Sequence, residues 1–242
     1  MVGGGNENNR VSARDLVFRY VLDLMTTGKL LPGDVLFETT LAEDLGLSRT
    51  PVRTALTRLV SEGFLENSRN KRGYRIPDLS LEDMKEVFLM REILESRAAF
   101  FAAEQARKED VDALWAMNDR EKYLSKEGQA FDYYQVNLDF HFAVVRIAGN
   151  RYLERSFRPV FWRSQLYVSY LAEFHPIAID DLEGANGHNS PKEHASIIEA
   201  IARRDPKGAA KAAETHVTST RAYRISTTTE KAGQLFIKKE MQ

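Results

Sequence analysis

Residues 46–53, GLSRTPVR, constrain this chain more than any other stretch, because they dictate a turn, a helix start and a charged face together. Gly46 can end one helix with a positive φ, Ser48 can cap the next, and Pro51 is tolerated in a first helical turn. At about 100° per residue, Arg49 and Arg53 then lie one turn apart on one side of the new helix. Val52, Ala55, Leu56 and Leu59 fall on the neighbouring arc, which can be buried in a small domain. Arg49, Thr50, Arg53, Thr54 and Thr57 are left facing out. Cations and hydroxyls beside a buried apolar stripe suit phosphates and base edges. The spacing predicts a short helix that enters a DNA groove.

The flanking residues complete a winged helix-turn-helix over 11–78, behind a flexible leader of residues 1–10. Val17, Tyr20, Val21 and Leu24 recur at helical spacing and predict a helix over 11–27. Leu31-Pro32-Gly33-Asp34 reads as a turn. Residues 39–45 read as a second helix capped by Thr39 or Thr40, and 48–62 as the third. Phe64-Leu65 and Tyr74-Arg75-Ile76 read as strands around a polar, basic hairpin tip, from which Lys71, Arg72 and Gly73 would reach phosphates or the minor groove. The net charge of −1 hides a local excess: residues 49–75 carry seven basic side chains against two acidic ones. A solvated charged face would look the same by charge alone, but the adjoining octapeptide favours DNA.

From Leu79 onward the pattern is helical, with helices expected near 81–106, 109–125, 129–148, 150–174, 191–203 and 206–226 in an all-α domain over 79–228, followed by a tail at 229–242. Ser80, Ser190 with Glu193, and Asp205-Pro206 mark helix starts. This half carries 23 basic and 25 acidic residues and has no electrostatic claim on DNA. There are no cysteines, hence no disulfides and no thiolate metal site. No run of 18 apolar residues suggests a membrane span, and no secretory signal is visible, so a cytoplasmic protein is expected.

Three of the five histidines lie on the apolar stripes of three different helices. His141 shares its stripe with Tyr134, Leu138 and Val145, with Asn137 one turn earlier. His194 begins the stripe of Ile197, Ile198 and Ile201. His216 follows Ala209, Ala212 and Ala213. A single inward histidine is usually a satisfied core residue. Three unpaired ones would each cost on the order of 1–3 kcal/mol, which a shared cation removes at once. Three imidazoles and an oxygen ligand suit zinc, nickel or a similar divalent ion.

Two resemblances follow from these residues. The run LPGDVLFETTLAEDLGLSRTPVRTALTRLVSEGFL with its basic hairpin resembles the N-terminal domain of GntR-family transcriptional regulators. That resemblance implies that Arg49 and Arg53 contact bases or phosphates and that Gly73 is a wing contact; Thr39 stands where the family often has a DNA-contacting arginine. NLDFHFAVVRIAGN, KEHASIIEAI and ETH, with MREILE at 90–95, resemble the FadR C-terminal (FCD) ligand-binding domain of one branch of that family. Many of its members hold a divalent metal through an acidic or amide residue and three histidines, which implies Asn137, His141, His194 and His216 here. Asn137 departs from the commoner aspartate. His188 is a reserve ligand.

The FCD resemblance also implies a small effector, often a carboxylate, bound at or near the metal. Arg91 is the leading candidate to grip it, then Arg163, with Tyr167 nearby in sequence. The alternative role of Arg91 is an i,i+4 ion pair with Glu95 on the surface. One small module contacts too few base pairs alone, so a homodimer on a palindromic operator is expected, acting as a repressor. The competing reading is a metal-dependent hydrolase with a DNA-binding extension. No general base stands at motif spacing, since Glu95 and Glu193 are accounted for as ion-pair and cap residues.

Overall fold

A computed structural model of the chain describes residues 12–26, 29–68, 73–171 and 190–237. The chain divides after Asp78 into two compact units. In the first, α1 (Ala13–Thr26), α2 (Glu38–Leu45) and α3 (Arg49–Ser61) enclose Val17, Val21, Leu41, Val52 and Leu56, closed by Phe64 and Ile76. The Phe18 and Phe64 rings pack with centroids 5.6 Å apart. The arc expected inside α3 is buried, and Arg49, Thr50, Arg53, Thr54 and Thr57 are exposed. Gly46 ends α2 in the left-handed region at φ 62°. Its neighbour's amide, Leu47 N–H, reaches back to the Ala42 carbonyl at 2.9 Å. This closure satisfies orphan carbonyls and turns the chain sharply into α3.

Four details differ from expectation. α2 begins at Glu38, behind Phe37, which offers no side-chain cap, so Thr39 and Thr40 lie inside the first turn. Ser48 sits at the cap position of α3 without a side-chain cap bond. Phe64 and Leu65 are both buried and both bond back to the Leu59 carbonyl, as residues of a helix-terminating turn do. The strand therefore starts later, as β2 (Glu66–Asn67), paired antiparallel with β3 (Tyr74–Arg75). A third strand, β1 (Val35–Leu36), covers the other edge of β3, with Val35 opposite Arg75 and Leu36 opposite Tyr74. Two residues are too short a run to show a period of two in sequence.

The second unit contains α4 (Leu81–Gln105), α5 (Lys108–Lys126), α6 (Ala130–Ile147), α7 (Arg151–Leu171), α8 (Ser190–Ala202) and α9 (Pro206–Ile237). Ser80 Oγ accepts from Asp83 N–H at 3.1 Å, and Asp205 accepts from Gly208 N–H at 2.9 Å, so two of the three sequence-marked caps form, while Ser190 is already the first residue of α8 and Glu193 bonds to His216 and Ser219. α4 is the hub, packed against α6, α7, α8 and α9. Its Ala98, Ala99, Ala102 and Ala103 are wholly buried, and such small side chains let the neighbouring axes approach closely. α9 continues to Ile237, through residues read as the start of a tail, because extending an established helix adds one hydrogen bond per residue fixed. The leader at 1–10 lies outside the described residues, as do Lys71, Arg72, His175 and His188.

Candidate functional site

On the first unit, the exposed face of α3 is organised by one carboxylate. Arg53 donates from Nε to both oxygens of Glu38 at 3.0 Å, and Arg49 lies 3.7 Å from the same group. Tyr74 on β3 donates to Glu38 at 3.2 Å, and Thr57 meets the Tyr74 hydroxyl at 3.4 Å. Thr54 returns its hydroxyl to the Thr50 carbonyl. Gly73 has φ 144°, and a Cβ there would stand 2.7 Å from the Leu36 carbonyl oxygen. Only glycine lets β3 press this closely on β1 and the start of α2. The basic excess is also partly matched: Arg58 pairs with Glu62 at 2.8 Å, and Arg75 with Glu66 and Asp78.

In the second unit, His141 from α6, His194 from α8 and His216 from α9 converge. One ring nitrogen of each lies within 4.8 Å of those of the other two, and all three residues are buried. Every Nδ1 meets a carboxylate: His141 with Glu95 at 2.6 Å, His194 with Glu121 at 2.8 Å, and His216 with Glu193 at 2.7 Å. Each Nε2 lies on the ring edge away from its carboxylate. His194 Nε2 is buried, and among the described residues it has no hydrogen-bond partner. Arg91 donates to His141 Nε2 at 3.2 Å, which makes that nitrogen an acceptor and puts the proton on Nδ1, toward Glu95.

Burial pushes His141 down to about 4, against the pull of Glu95, and His216 down to about 3, against its bond to Glu193. Burial would raise the Glu95 carboxyl, but Arg91 and His141 outweigh it and hold the group well below the usual carboxylate range. The Glu121 carboxyl is likewise lowered, since His194 and Asn137 overcome its desolvation. Imidazoles whose Nδ1 atoms are held by carboxylates while their other ring edges converge are the arrangement by which proteins orient histidine toward a cation. The orphaned Nε2 of His194 fits such a group.

The remaining predicted residues separate into two places. Asn137 is next to the cluster, where its amide nitrogen donates to Glu121 at 2.9 Å. Arg91 is 2% exposed, so its pairing with Glu95 is real but not on the surface as the alternative had it. Its third contact is Ser164 on α7 at 3.5 Å. Arg163 and Tyr167 lie elsewhere, at the first turn of α4, about 12 Å along that helix from Arg91 at 1.5 Å per residue. Arg163 pairs with Asp83 at 2.8 Å, while the Tyr167 hydroxyl bonds Asp83 and the Ser80 carbonyl, fixing the start of α4. Desolvation and Asp83 raise the Tyr167 hydroxyl above its ordinary value.

The carboxylates were the residues missed. Glu95 and Glu193 read in sequence as helix-local ion-pair and cap residues, yet Glu193 reaches across to His216 and to Ser219 on α9. Glu121 shares the buried face of α5 with Leu114, Asn118, Leu124 and Ser125, a face too polar for periodicity to single it out.

Comparison with known proteins agrees with this division. Residues 14–76 match the profile of the bacterial regulatory proteins of the gntR family, and residues 86–219 match that of the FCD domain. The chain is 30% identical over 190 residues to the Uxu operon regulator of Haemophilus influenzae, covering 74% of this chain and 69% of that one. It is 27% identical over 208 residues to a probable D-xylose utilization operon transcriptional repressor of Paenarthrobacter nicotinovorans, covering 86% and 87%. The chain spans only 58% of the length of YdhC, an HTH-type regulator of Bacillus subtilis. Among solved structures, Escherichia coli McbR/YncC shares the fold with a TM-score of 0.71 at 23% identity, over 90% of this chain and 99% of that one. Proteins named as transcriptional regulators lend no support to a hydrolase.

Proposed function

The chain belongs to the GntR family of bacterial regulatory proteins, with an FCD domain behind its winged helix, and from that premise we propose a metabolite-controlled transcriptional repressor that binds a palindromic operator as a homodimer. The FCD unit would hold one divalent ion, zinc or nickel, through His141, His194 and His216, with the Asn137 amide oxygen as the candidate fourth ligand. The observation that carries this reading is the triad of buried imidazoles, each backed by its own carboxylate, around the His194 Nε2 that no described residue hydrogen-bonds. When bound, the ion would supply positive charge and open positions for carboxylate oxygens. The effector is then a small carboxylate, whose second point of attachment is the Arg91 guanidinium, already directed at His141.

The void bordered by Glu95, Phe140, His141, Val144 and Ile197 measures about 10 Å³, room for roughly one water. A metabolite would enter here by moving α4 and its Arg91 away from α6. Because α4 begins directly after the winged unit in the chain, such a movement would carry the signal to DNA. The effector shifts operator affinity by as much as it prefers one arrangement over the other. Repression agrees with the description of the Paenarthrobacter relative as a transcriptional repressor.

Native mass spectrometry of the purified protein tests the reading. We expect one divalent ion per chain, lost in His194→Ala, and a co-purified or titratable carboxylate lost in Arg91→Met. Full metal occupancy in His194→Ala would overturn the site.

A further inference from the structure

We propose that Glu38 sets which base Arg53 reads, by holding the guanidinium end-on to the DNA so that it selects guanine. Glu38 is in the first turn of α2, its side chain 17% exposed, whereas Arg53 is 59% exposed. Both Glu38 oxygens lie 3.0 Å from Arg53 Nε. Arginine carries five N–H donors in one rigid plane, and fixing the Nε edge leaves the two terminal amino groups pointing onward. Among the described residues, no hydrogen bond takes either of them. Two parallel donors at that spacing match O6 and N7 of guanine in the major groove.

The carboxylate is itself held. Tyr74 donates to Oε1 at 3.2 Å, so the wing strand fixes the group that fixes the recognition arginine. Gly73 makes this possible, since a side chain there would collide with Leu36 and Phe37, immediately before Glu38. A second consequence is electrostatic. A negative charge shared by Arg49 and Arg53 disfavours their pairing with a phosphate, which is anionic, more than with a guanine edge, which is neutral. Glu38 thus lowers affinity for DNA in general and raises the preference for one sequence.

The inference rests on the reading of α3 as the groove-entering helix, and its test separates the two. The full-length protein selects duplexes from a random-sequence pool, and the base pair read by Arg53 is the one whose preference disappears in Arg53→Ala. Dissociation constants at fixed salt are then measured for Glu38→Gln on the selected duplex, on the same duplex with that G·C pair changed to A·T, and on an unrelated duplex. We expect the guanine preference to fall about tenfold and binding to the unrelated duplex to tighten, with the melting temperature unchanged. Tyr74→Phe should show a smaller loss at the same position, and serves if Glu38→Gln does not fold. An unchanged preference in both variants, or an equal loss on all three duplexes, overturns the proposal while leaving DNA binding intact. A wild-type protein that enriches no sequence overturns the DNA reading itself, and this proposal with it.

Discussion

Both units place carboxylates against nitrogen bases, but in opposite surroundings. On α3 one partly exposed carboxylate is shared by two exposed arginines, in a medium where charge is screened and side chains move at little cost. In the bundle three buried histidines have three separate carboxylates, with Arg91 buried among them. The same chemistry therefore would orient side chains for DNA in the first case and stores electrostatic energy in the second. Removing one member from the surface set should change recognition and leave the fold. Removing one from the buried set should change the fold first.

The largest expected effect tests that contrast directly. Arg91→Met leaves the Glu95 carboxylate buried without its cation, so unfolding free energy should fall by about 3–5 kcal/mol. Arg53→Ala should stay within about 0.5 kcal/mol of wild type in stability while weakening operator binding by about 1–3 kcal/mol. Urea denaturation followed by circular dichroism, beside DNA titrations, reads both. Two variants of equal stability would erase the distinction between the sites.

Acid should discriminate the units less sharply but in the same direction. All five histidines are in the second unit. His141 and His216 titrate near 4 and 3 in the folded chain, below the ordinary 6.5. Between those values the unfolded chain binds more protons, so stability is full above pH 6.5 and is lost progressively as pH falls toward 4. In protein stripped by chelator, the urea midpoint should drop from pH 7.5 to pH 5. A flat midpoint would mean that the imidazoles are not held neutral by burial.

How much of this was legible in the sequence depended on whether a residue's role is written in its own helix. The buried arc of α3 and the inward turn of His141, His194 and His216 follow from the 3.6-residue period, which each helix displays alone. The partners do not. Glu121 meets His194 across 73 positions and Glu95 meets His141 across 46, distances that no local pattern spans. Glu38 escaped for the same reason: counting charge along residues 49–75 stops short of the carboxylate that three-dimensional proximity brings to Arg49 and Arg53. Arg163 and Tyr167 were nominated by closeness in sequence, yet the α7 face that carries them points to the start of α4.

The smallest effect concerns the turn from which the first unit was deduced. Gly46 has φ 62°, and a Cβ built there would meet nothing within 4 Å. Gly46→Ala should therefore cost only the left-handed penalty of an L residue, about 1–2 kcal/mol. Gly73→Ala carries that kind of strain and, in addition, a 2.7 Å clash with the Leu36 carbonyl oxygen, which neither backbone can relieve by rotating a side chain. It should cost more than Gly46→Ala in stability and should also displace the strand that holds Tyr74 against Glu38. If the two alanine variants melt alike, the wing is not pressed on β1, and the route from Gly73 through Tyr74 and Glu38 to Arg53 loses its anchor.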